Sequence, residues 1–465
     1  MILGAVVLAA GQGTRMNSAL PKVLHPLAGR SMIGWVLGSL SGVEVAHTVV
    51  VIGHGAEAVA SGLPEGVSTQ VQREQHGTGH ATIVGLRGLP DNCDTVLVLC
   101  GDTPLISSGL ISGLVATHEV SGRTATMVTT IVAEAGAYGR VLRNADGAVI
   151  GVIEAADASA HQLEIREVNA GIFVFDRAAL SEALALVGSG NAQGEVYLPD
   201  VLSLMGPGLG TVIADDSDVV RGVNTRVDLA TCEGILQSRL RTALMLGGVT
   251  MPDPAAVYLD ADVRVGKDTV LHPGVHLRAG SVIGPNCAIG PNCVIENSTI
   301  ADGAQVINAV VRESQIGPGT SVGPFAFVRP GTELAANAKI GTFVETKNAQ
   351  IGERAKVPHL SYIGDAEIGA DTNIGAGNIT ANYDGFRKHR TMIGARVKTG
   401  SDCVLVAPVT IGDDAMTGAG SIITEPVPAG ALGIARARQR VIEDFTRRAA
   451  AKAEAASDEP GGHHA

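Results

Sequence analysis

The chain has 465 residues, which is enough for two or three domains with separate cores. Its formal net charge of −12 argues against non-specific nucleic-acid binding, which needs clustered Lys and Arg, and no apolar run approaches the roughly 20 residues that span a bilayer. Aromatic residues make up only 3% of the chain. The six cysteines show no paired spacing, so we expect a reduced, cytoplasmic protein.

Residues 1–226 show the alternating pattern of an α/β domain. Short apolar runs, such as 6–10 and 96–100, alternate with helix-length stretches, such as 31–40 and 108–118. Continuous apolar runs of this kind are typical of strands buried on both faces of a mostly parallel sheet. We therefore predict a Rossmann-like α/β domain over this region.

The next segment, 227–247, is predicted to be a linker helix. Four leucines fall on one helical stripe, and a glycine pair ends the pattern: Leu229, Leu236, Leu240, Leu244, then Gly247-Gly248.

Residues 248–436 have a different period. An aliphatic residue recurs about every six positions, often followed by glycine: Ile283, Ile289, Ile295, Val306, Ile316, Val322, Val328, Leu334, Ile340, Ile351, Val357, Ile363, Ile374, Ile393 and Ile411. Such hexapeptide repetition indicates a parallel β-helix, in which the aliphatic side chains point inward. The repeat is interrupted at 380–391, and an insertion in a solenoid usually forms a loop on the binding face.

The last segment, 437–465, is predicted to be a short helix and a disordered tail. The tail carries His463 and His464, which are weak metal candidates.

A glycine-rich segment, 8–16, directly follows the first predicted strand. Its small residues allow backbone N–H groups to approach phosphate oxygens, and Arg15 and Lys22 add positive charge for a triphosphate. A second apolar strand delivers Asp102 at its end, where a carboxylate can ligate Mg²⁺ beside bound phosphates.

These motifs, together with 72–81, 101–105, 138–140, Glu154, 169–171 and 222–224, resemble the sugar-phosphate nucleotidyltransferases. More narrowly, the chain is similar from residue 2 to about 440 to the bacterial bifunctional N-acetylglucosamine-1-phosphate uridylyltransferase/glucosamine-1-phosphate acetyltransferases. The resemblance implies synthesis of UDP-N-acetylglucosamine by two active sites, one in each half of the chain.

For the N-terminal half, the resemblance implies a site for UTP and the sugar phosphate. Its residues would be Leu8, Ala9, Ala10, Gly11, Lys22, Gln72, Gln75, Gly77, Thr78, Asp102, Gly139, Glu154, Asn169 and Asn224. Within this set Gln72, Gln75, Gly77 and Thr78 would read uracil, Gly139, Glu154 and Asn169 would hold the sugar, and Asp102 and Asn224 would ligate Mg²⁺. The sugar phosphate would attack the α-phosphate of UTP in line, with Arg15 and Lys22 among the catalytic groups.

In the C-terminal half, a polar cluster stands out among small residues. Acetyl transfer to an amine needs a base with a pKa near neutrality, hydrogen-bond donors for the oxyanion, and cations for the sugar phosphate. His359 is the candidate base, although a packing role for this histidine is also open. The resemblance assigns Arg329, Lys347, Tyr362, Asn373 and Lys388 to glucosamine 1-phosphate, and Ala376, Asn382, Tyr383, Ser401, Ala419 and Arg436 to acetyl-CoA.

The resemblance also implies a left-handed β-helix and a homotrimer with shared sites. Three alternatives stay open at this point. The β-helix could be a regulatory or oligomerising scaffold, the chain could be a binding solenoid with a degenerate α/β domain, or the nucleotidyltransferase could use another base or sugar. The presence of Lys22, Asp102 and Asn224 speaks against the second alternative.

Overall fold

The computed structural model describes residues 1–206 and 209–457. Its contacts divide the chain into two compact units. The first comprises Met1–Val265 and His276–Ser281, and the second comprises Gly266–Val275 and Val282–Ala465. The domain boundaries expected from the sequence, at 226, 247 and 436, stay a prediction.

The first unit begins with an α/β fold. Its strands are β1 Leu3–Ala9, β2 Pro26–Leu27, β3 Arg30–Ser31, β4 His47–Ile52, β5 Val67–Val71, β6 Thr95–Cys100, β7 Ala125–Ile131, β8 Arg140–Arg143, β9 Val149–Ile153, β10 Glu167–Asp176 and β11 Gly210–Ile213. Its α-helices are α1 Met32–Gly38, α2 Ala56–Ser61, α3 Thr78–Leu86, α4 Ser108–Ser121, α5 Ala160–Leu163, α6 Arg177–Leu186, α7 Val201–Leu204 and α8 Arg226–Leu246. Short 3₁₀ turns occupy Thr14–Met16, Lys22–Leu24, Ser39–Gly42, Leu198–Asp200, Ser217–Val220 and Pro254–Ala256.

The main sheet of this unit has the order β11-β7-β10-β6-β1-β4-β5. Strand β1 runs parallel to β4 and β6, and β4 runs parallel to β5, whereas β10 is antiparallel to β6 and β7. The predicted α/β class is thus confirmed. Because β1 and β6 are parallel, the loops that follow them meet at one edge of the sheet, where open α/β folds bind their ligands.

Two apolar layers cover this sheet. Successive side chains of β1 alternate between its faces: Val7 packs in the cluster that contains Ile33 of α1 and Leu114 of α4, whereas Val6 packs in the cluster that contains Val84 of α3 and Leu180 of α6. Full burial of one such Val or Leu side chain stabilises the fold by about 1.5–3 kcal/mol.

Helix α8 begins and ends on clear sequence signals. Thr225 and Asp228 form a reciprocal capping box at its N-terminus, and Gly247 caps its C-terminus. Two partly buried leucines of the predicted stripe, Leu229 and Leu240, flank the buried Leu236.

The remaining strands are short. They are β12 Val257–Leu259, β13 Arg264–Val265, β14 Val270–Leu271, β15 Val275–Arg278, β16 Val282–Ile283, β17 Ala288–Ile289, β18 Val294–Glu296, β19 Thr299–Ile300, β20 Gln305–Val306, β21 Val310–Arg312, β22 Gln315–Ile316, β23 Ser321–Val322, β24 Phe327–Val328, β25 Glu333–Leu334, β26 Lys339–Thr342, β27 Glu345–Ile351, β28 Lys356–His359, β29 Tyr362–Ile368, β30 Ile379–Ala381, β31 Thr391–Ile393, β32 Val404–Val406, β33 Val409–Ile411, β34 Met416–Thr417, β35 Ile422–Ile423 and β36 Leu432–Gly433. Helix α9 follows at Phe445–Ser457.

The second unit contains the predicted left-handed parallel β-helix. Each strand pairs in parallel with the equivalent strand of the next coil, for example β17 with β20, β20 with β23 and β23 with β26. All fifteen aliphatic residues of the repeat are buried, with at most 4% of each exposed. The hexapeptide period is therefore the period of the core. Removing one of these side chains to Ala would cost about 2–5 kcal/mol.

Three further expectations concern the C-terminal tail, the cysteines and membrane spans. The predicted tail with His463 and His464 lies outside the described residues. All six cysteines are unpaired, and within the described part of the chain no helix is long and apolar enough to cross a membrane. The cytoplasmic location stays a prediction.

Candidate active sites

A cavity of about 250 Å³ opens in the first unit, where β1 ends. Ten of the residues predicted to bind nucleotide line it: Leu8, Ala9, Ala10, Gly11, Lys22, Gln72, Gln75, Gly77, Thr78 and Asp102. The structure thus brings together two segments that lie about 60 residues apart in the sequence, the glycine-rich loop and the 72–78 segment.

Local backbone chemistry closes this cavity. Gln75 donates a hydrogen bond from Nε2 to the carbonyl oxygen of Ala10 at 2.9 Å, which joins the two loops. Gly77 has φ 97°, and a Cβ at this position would lie 2.6 Å from the carbonyl oxygen of Val196. Only glycine combines this conformation with this close approach, so Gly77 keeps the wall of the cavity in place.

The cationic groups predicted for the triphosphate meet the predicted metal ligands. Lys22 Nζ lies 2.5 Å from Asp102 Oδ2 and 3.3 Å from Asn224 Oδ1. Arg15 Nη2 lies 3.1 Å from the same Asn224 oxygen. The side chain of Lys22 is only 11% exposed, so its ammonium is held in a confined site with a carboxylate and an amide oxygen as partners.

Two structural elements bring Asp102 and Asn224 together. Asp102 follows β6, and its carbonyl oxygen accepts a hydrogen bond from the N–H of Val223 at 2.9 Å. Asp228, in the first turn of α8, accepts the backbone N–H of Asn224 at 3.0 Å and that of Thr225 at 2.8 Å. The capping box of α8 therefore also fixes the residue that faces Asp102.

A second cavity, of about 690 Å³, adjoins the first and shares Leu8, Thr78 and Asp102 with it. The predicted sugar-binding residues Gly139, Glu154 and Asn169 line it together with Asn224. These four residues and the ten in the smaller cavity account for all fourteen residues predicted to bind the nucleotide and sugar.

The backbone shapes this larger cavity. A Cβ on Gly139 would lie 3.1 Å from Glu154 Oε1, so glycine lets the carboxylate approach the chain. The pairing of β10 with β7 shifts register between Asn169 and Phe173, where Gly171 adopts φ 69°. Asn169 Oδ1 accepts the N–H of Gly171 at 2.9 Å, which leaves the amide Nδ2 of Asn169 as the donor for a ligand.

Electrostatics distinguish Glu154 from an ordinary surface carboxylate. Burial raises the pKa of Glu154, and the nearby carboxylates of Asp200 and Asp157 raise it further. Burial also raises the pKa of Cys100, which lines both cavities, to about 12, so this thiol stays protonated. The larger cavity therefore suits a hydroxyl-rich, largely neutral ligand group better than a second anion.

In the second unit, three cations gather beside one strand column. The register of β24 with β27, extended by one residue, places Arg329 beside Lys347. Lys388 reaches the same place from the 382–389 loop. The close approach and positive charge of Lys388 lower the pKa of Lys347, and the charge of Arg329 lowers it further. We call Arg329, Lys347 and Lys388 the cation cluster. Glu345 pairs with Arg329 at 2.6 Å, and repulsion among the remaining positive charges favours a bound anion.

Tyr362 lies at this cluster. Its strand β29 pairs with β27, and Lys347 is opposite Gly364. The space that a Cβ of Gly364 would fill is taken by the Tyr362 hydroxyl and ring. Glycine at this position thus lets the phenol lie over its own strand, close to Lys347.

His359 stands in a column of small residues on successive coils. The carbonyl oxygen of His359 accepts the N–H of Gly377, that of Ala376 accepts the N–H of Asp402, and that of Ser401 accepts the N–H of Gly420, at 3.3, 2.7 and 2.9 Å. His359, Ala376, Ser401 and Ala419 therefore stack at one corner of the β-helix, and we call them the His359 column. His359 is exposed, which disfavours a packing role.

This corner changes character at His359. The coil of His359 and the two coils before it carry large, exposed apolar residues in left-handed backbone conformation: Leu360, Phe343 and Phe325, each about 60% exposed. The next three coils carry Gly377, Asp402 and Gly420 at the equivalent position. The large apolar side chains at this corner therefore end at the coil of His359.

The interruption of the repeat forms a hairpin-like loop next to the cation cluster. Tyr383 pairs with Lys388 in an antiparallel bridge, and the N–H of His389 donates to the carbonyl oxygen of Asn382 at 2.8 Å. Backbone hydrogen bonds and His389 lower the pKa of Asp384 to about 2, so this carboxylate stays charged and rigidifies the loop.

Two predicted residues lie away from these groups. Asn373 belongs to a different strand column, in which its neighbours are Lys356 and Lys398. Arg436 lies on the coil after that of Ala419, because β36 places Gly433 opposite Thr417. One chain therefore gathers Arg329, Lys347, Tyr362 and Lys388, but not Asn373, beside a single column.

Comparisons with known proteins agree with this two-part arrangement. Residues 5–188 match the MobA-like NTP transferase domain, and residues 262–297 match the bacterial transferase hexapeptide family. The chain is 48% identical to the bifunctional protein GlmU of Streptomyces avermitilis, over 98% of both chains. It is also 48% identical to GlmU of Streptomyces coelicolor, with the same coverage, and to GlmU of Heliobacterium modesticaldum, over 96% of this chain and 98% of the relative.

The chain belongs to the bifunctional GlmU family.

Membership of the GlmU family confirms the predicted enzyme class. The chain is a bifunctional transferase of UDP-N-acetylglucosamine synthesis, with acetyltransferase and uridylyltransferase activities. The alternatives of a scaffolding β-helix and a degenerate α/β domain are thereby excluded, since the GlmU relatives match nearly the whole chain.

Further polar residues line these cavities without having been predicted from the sequence. Glu195 lines the smaller cavity, and Thr103 and Asp228 line the larger one. Asp365 lies beside the 382–389 loop. Thr103 lies within the 101–105 motif and Asp228 in the capping box of α8, but neither pattern by itself indicates a ligand contact, and Glu195 and Asp365 belong to no recognisable motif.

Proposed function

We propose the following division of roles among the residues of the two sites. The N-terminal cavities bind UTP and N-acetylglucosamine 1-phosphate with Mg²⁺, and the cation cluster with the His359 column binds glucosamine 1-phosphate and acetyl-CoA. The observation that carries the N-terminal assignment is the ammonium of Lys22 between Asp102 Oδ2 and Asn224 Oδ1.

That ammonium marks a position that suits a cation. A carboxylate oxygen and an amide oxygen are hard ligands of the kind that Mg²⁺ takes, and Mg²⁺ typically completes its shell with water and substrate phosphates. Among the described residues no cluster of three acidic, His or Cys side chains could form a closed metal site, which fits a shared protein–phosphate site. Bound there through Asp102 and Asn224, Mg²⁺ would neutralise charge on the phosphates.

The residues of the chain position the reactants for uridylyl transfer. Gly139, Glu154 and Asn169 hold the sugar through its hydroxyl and acetamido groups, so that its phosphate oxygen faces the α-phosphorus of UTP. The new P–O bond forms as the bond to pyrophosphate breaks. Lys22 and Arg15 offset the charge that develops on the phosphates, and no covalent enzyme intermediate is needed.

The uracil lies in the smaller cavity. Gln75 uses its Nε2 on Ala10 and Gln72 uses its Nε2 on Gly77, so both side chains keep Oε1 as an acceptor for the N–H of the base. The backbone of Gly77 and Thr78 supplies the complementary polar groups at the other edge of the ring.

For acetyl transfer, the cation cluster and Tyr362 hold the phosphate of glucosamine 1-phosphate. His359 removes a proton from the amine as its nitrogen attacks the thioester carbon. The C–N bond forms, the C–S bond breaks, and coenzyme A leaves as the thiol. Asn382 and Tyr383 flank the acetyl group, and the small residues Ala376, Ser401 and Ala419 contact the rest of the donor, with Arg436 beyond them.

We further propose that the chain acts as a homotrimer. Phe325 and Phe343 stack at a ring-centroid distance of 5.5 Å, and each is 59% exposed, so association would remove a large apolar surface from water. Asn373 lies on another column than the cation cluster. A neighbouring copy can supply its Asn373 to the site, which completes the predicted set of ligands.

The acetyl-transfer assignment is tested with His359→Ala, measured by release of free thiol from acetyl-CoA. We expect thiol release to fall by roughly 10²–10⁴-fold, because a general base typically contributes this much. Pyrophosphate release from UTP and N-acetylglucosamine 1-phosphate should stay at the wild-type rate. His272→Ala is the matched control, since His272 lies in the β-helix several coils away from the His359 column. Normal thiol release by His359→Ala would exclude His359 as the base.

A further inference from the structure

Three polar residues stack in register beside the 382–389 loop. Asn348 and Asp365 occupy the same position in β27 and β29, between the paired residues Lys347–Gly364 and Ala349–Ala366. Asn382 takes the equivalent place directly after β30. The order Asn–Asp–Asn on three successive coils puts one carboxylate between two amides.

The carboxylate of Asp365 serves both amides. Asp365 Oδ1 accepts a hydrogen bond from Asn348 Nδ2 at 2.6 Å, and Oδ2 accepts one from Asn382 Nδ2 at 2.5 Å. Asp365 and Asn382 are each only 9% exposed, whereas Asn348 is an exposed residue. Within the described residues Asp365 forms no ion pair, and these two bonds are the side-chain hydrogen bonds that its carboxylate accepts.

These bonds fix the orientation of the Asn382 amide. A carboxylate only accepts hydrogen bonds, so the NH₂ group of Asn382 must face Asp365 and its Oδ1 must point the other way. In the described part of the chain this Oδ1 accepts no hydrogen bond, and it is not among the buried polar atoms without a partner. The oxygen is therefore open to a ligand.

The open oxygen lies at the proposed acetyl-transfer site. Asn382 is the root of the loop that carries Tyr383 and Lys388, and Asp365 is close enough to Lys347 to raise its pKa against the opposing effects of Lys388 and Arg329. The amine of the acceptor sugar has N–H groups that need an acceptor once His359 takes one proton.

We propose that Asp365 is a positioning residue for acetyl transfer, which turns Asn382 Oδ1 toward the amine of glucosamine 1-phosphate. This inference rests on the proposed function of the C-terminal site and adds one element to it. Asp365 itself does not touch the substrate. It acts through Asn382, and a role confined to anchoring the loop would have different consequences.

The test is a double-mutant cycle on thiol release. Asp365→Gly removes the carboxylate and accepts the left-handed backbone conformation at this position, φ 48°, without strain. We expect kcat to fall by roughly 10- to 100-fold, as is usual when a group that orients an active-site side chain is lost. In the Asn382→Ala background, Asp365→Gly should cause no further loss beyond about twofold.

Two control variants sharpen the result. Asn348→Ala removes the other partner of the same carboxylate, and we expect nearly wild-type thiol release. Asp365→Asn should retain most of the activity, because its carbonyl oxygen can still accept from Asn382 once the exposed Asn348 turns its amide. Thermal unfolding reports that the β-helix of each variant is folded, since pyrophosphate release reports only on the first unit.

Losses that multiply in the double variant would overturn the proposal, and so would an Asn348→Ala loss as large as that of Asp365→Gly. Failure of the proposed function would show differently. In that case His359→Ala would keep its thiol release, whatever the cycle on Asp365 gave.

Discussion

Lys22 offers the sharpest test of the uridylyltransferase site. Its ammonium makes two close contacts, with Asp102 and Asn224, at a position where only 11% of its side chain is exposed. Water therefore cannot readily replace the charge once it is removed. Lys22→Met keeps most of the stem, which packs against Gly13, and deletes only the ammonium.

We expect this variant to lose about 10²–10³-fold in kcat/KM for uridylyl transfer. That loss corresponds to about 2.7–4 kcal/mol of transition-state stabilisation, the usual contribution of one preorganised group at a developing charge. The assay is pyrophosphate release from UTP and N-acetylglucosamine 1-phosphate at saturating Mg²⁺.

Two controls accompany this assay. Lys267→Met removes an exposed ammonium in the other unit and should be neutral. Thiol release by Lys22→Met should equal that of the wild type, because the acetyl-transfer residues lie elsewhere. A loss below about tenfold in uridylyl transfer, or an equal loss in both activities, would refute the role given to Lys22.

Three further predictions concern stability and assembly. Burial raises the pKa of Glu154, so protonation of this carboxyl group stabilises the folded protein. This contribution to the free energy of unfolding is fully present below the ordinary carboxyl pKa and is lost as the pH rises through the raised pKa of the folded state. Glu154→Gln should therefore unfold at higher urea concentration than the wild type at pH 7, with the difference vanishing near pH 4; a difference that grew on acidification would contradict this. A Cβ on Gly341 would overlap a carbonyl oxygen of the next coil, so Gly341→Ala should cost on the order of 3 kcal/mol in thermal unfolding. Gly113→Ala, at an exposed position inside α4 with open space around it, should instead stabilise by about 0.5–1 kcal/mol. Replacing Phe325 and Phe343 together by Ser should lower the mass measured by light scattering from that of the proposed trimer toward that of a monomer, and an unchanged mass would exclude this corner as the interface.

Much of the fold follows from local sequence pattern. The β-helix can be predicted from sequence because every coil needs an inward aliphatic residue at the same position. Ile316 and Val322 both occupy this position, and both are buried. The N-terminal phosphate-binding loop can be predicted because glycine and other small residues directly after a strand allow the backbone to approach a ligand closely. Asp102 also stands out, since it ends an apolar strand.

The sequence predicts less well which residues of successive coils lie next to each other. The sequence does not show that Asn373 shares a column with Lys356 and Lys398, because the length of the interrupting loop changes which residues stack. Asp365 has no signature either, since its role depends on register with residues 17 positions away on both sides. The bridging position of Lys22 likewise needs the fold, because Asn224 lies 202 residues further along.

Mixing two variants tests most directly whether one chain carries two separate sites. Lys22→Met and His359→Ala are each supplied with glucosamine 1-phosphate, acetyl-CoA, UTP and Mg²⁺, first alone and then together, and UDP-N-acetylglucosamine is measured. Each variant alone should make little product, because one reaction of the pair is blocked. The mixture should recover synthesis after a lag, since N-acetylglucosamine 1-phosphate made by Lys22→Met can be used by His359→Ala. A mixture as inactive as its components, although each variant keeps its own partial reaction, would contradict two sites joined by a released intermediate.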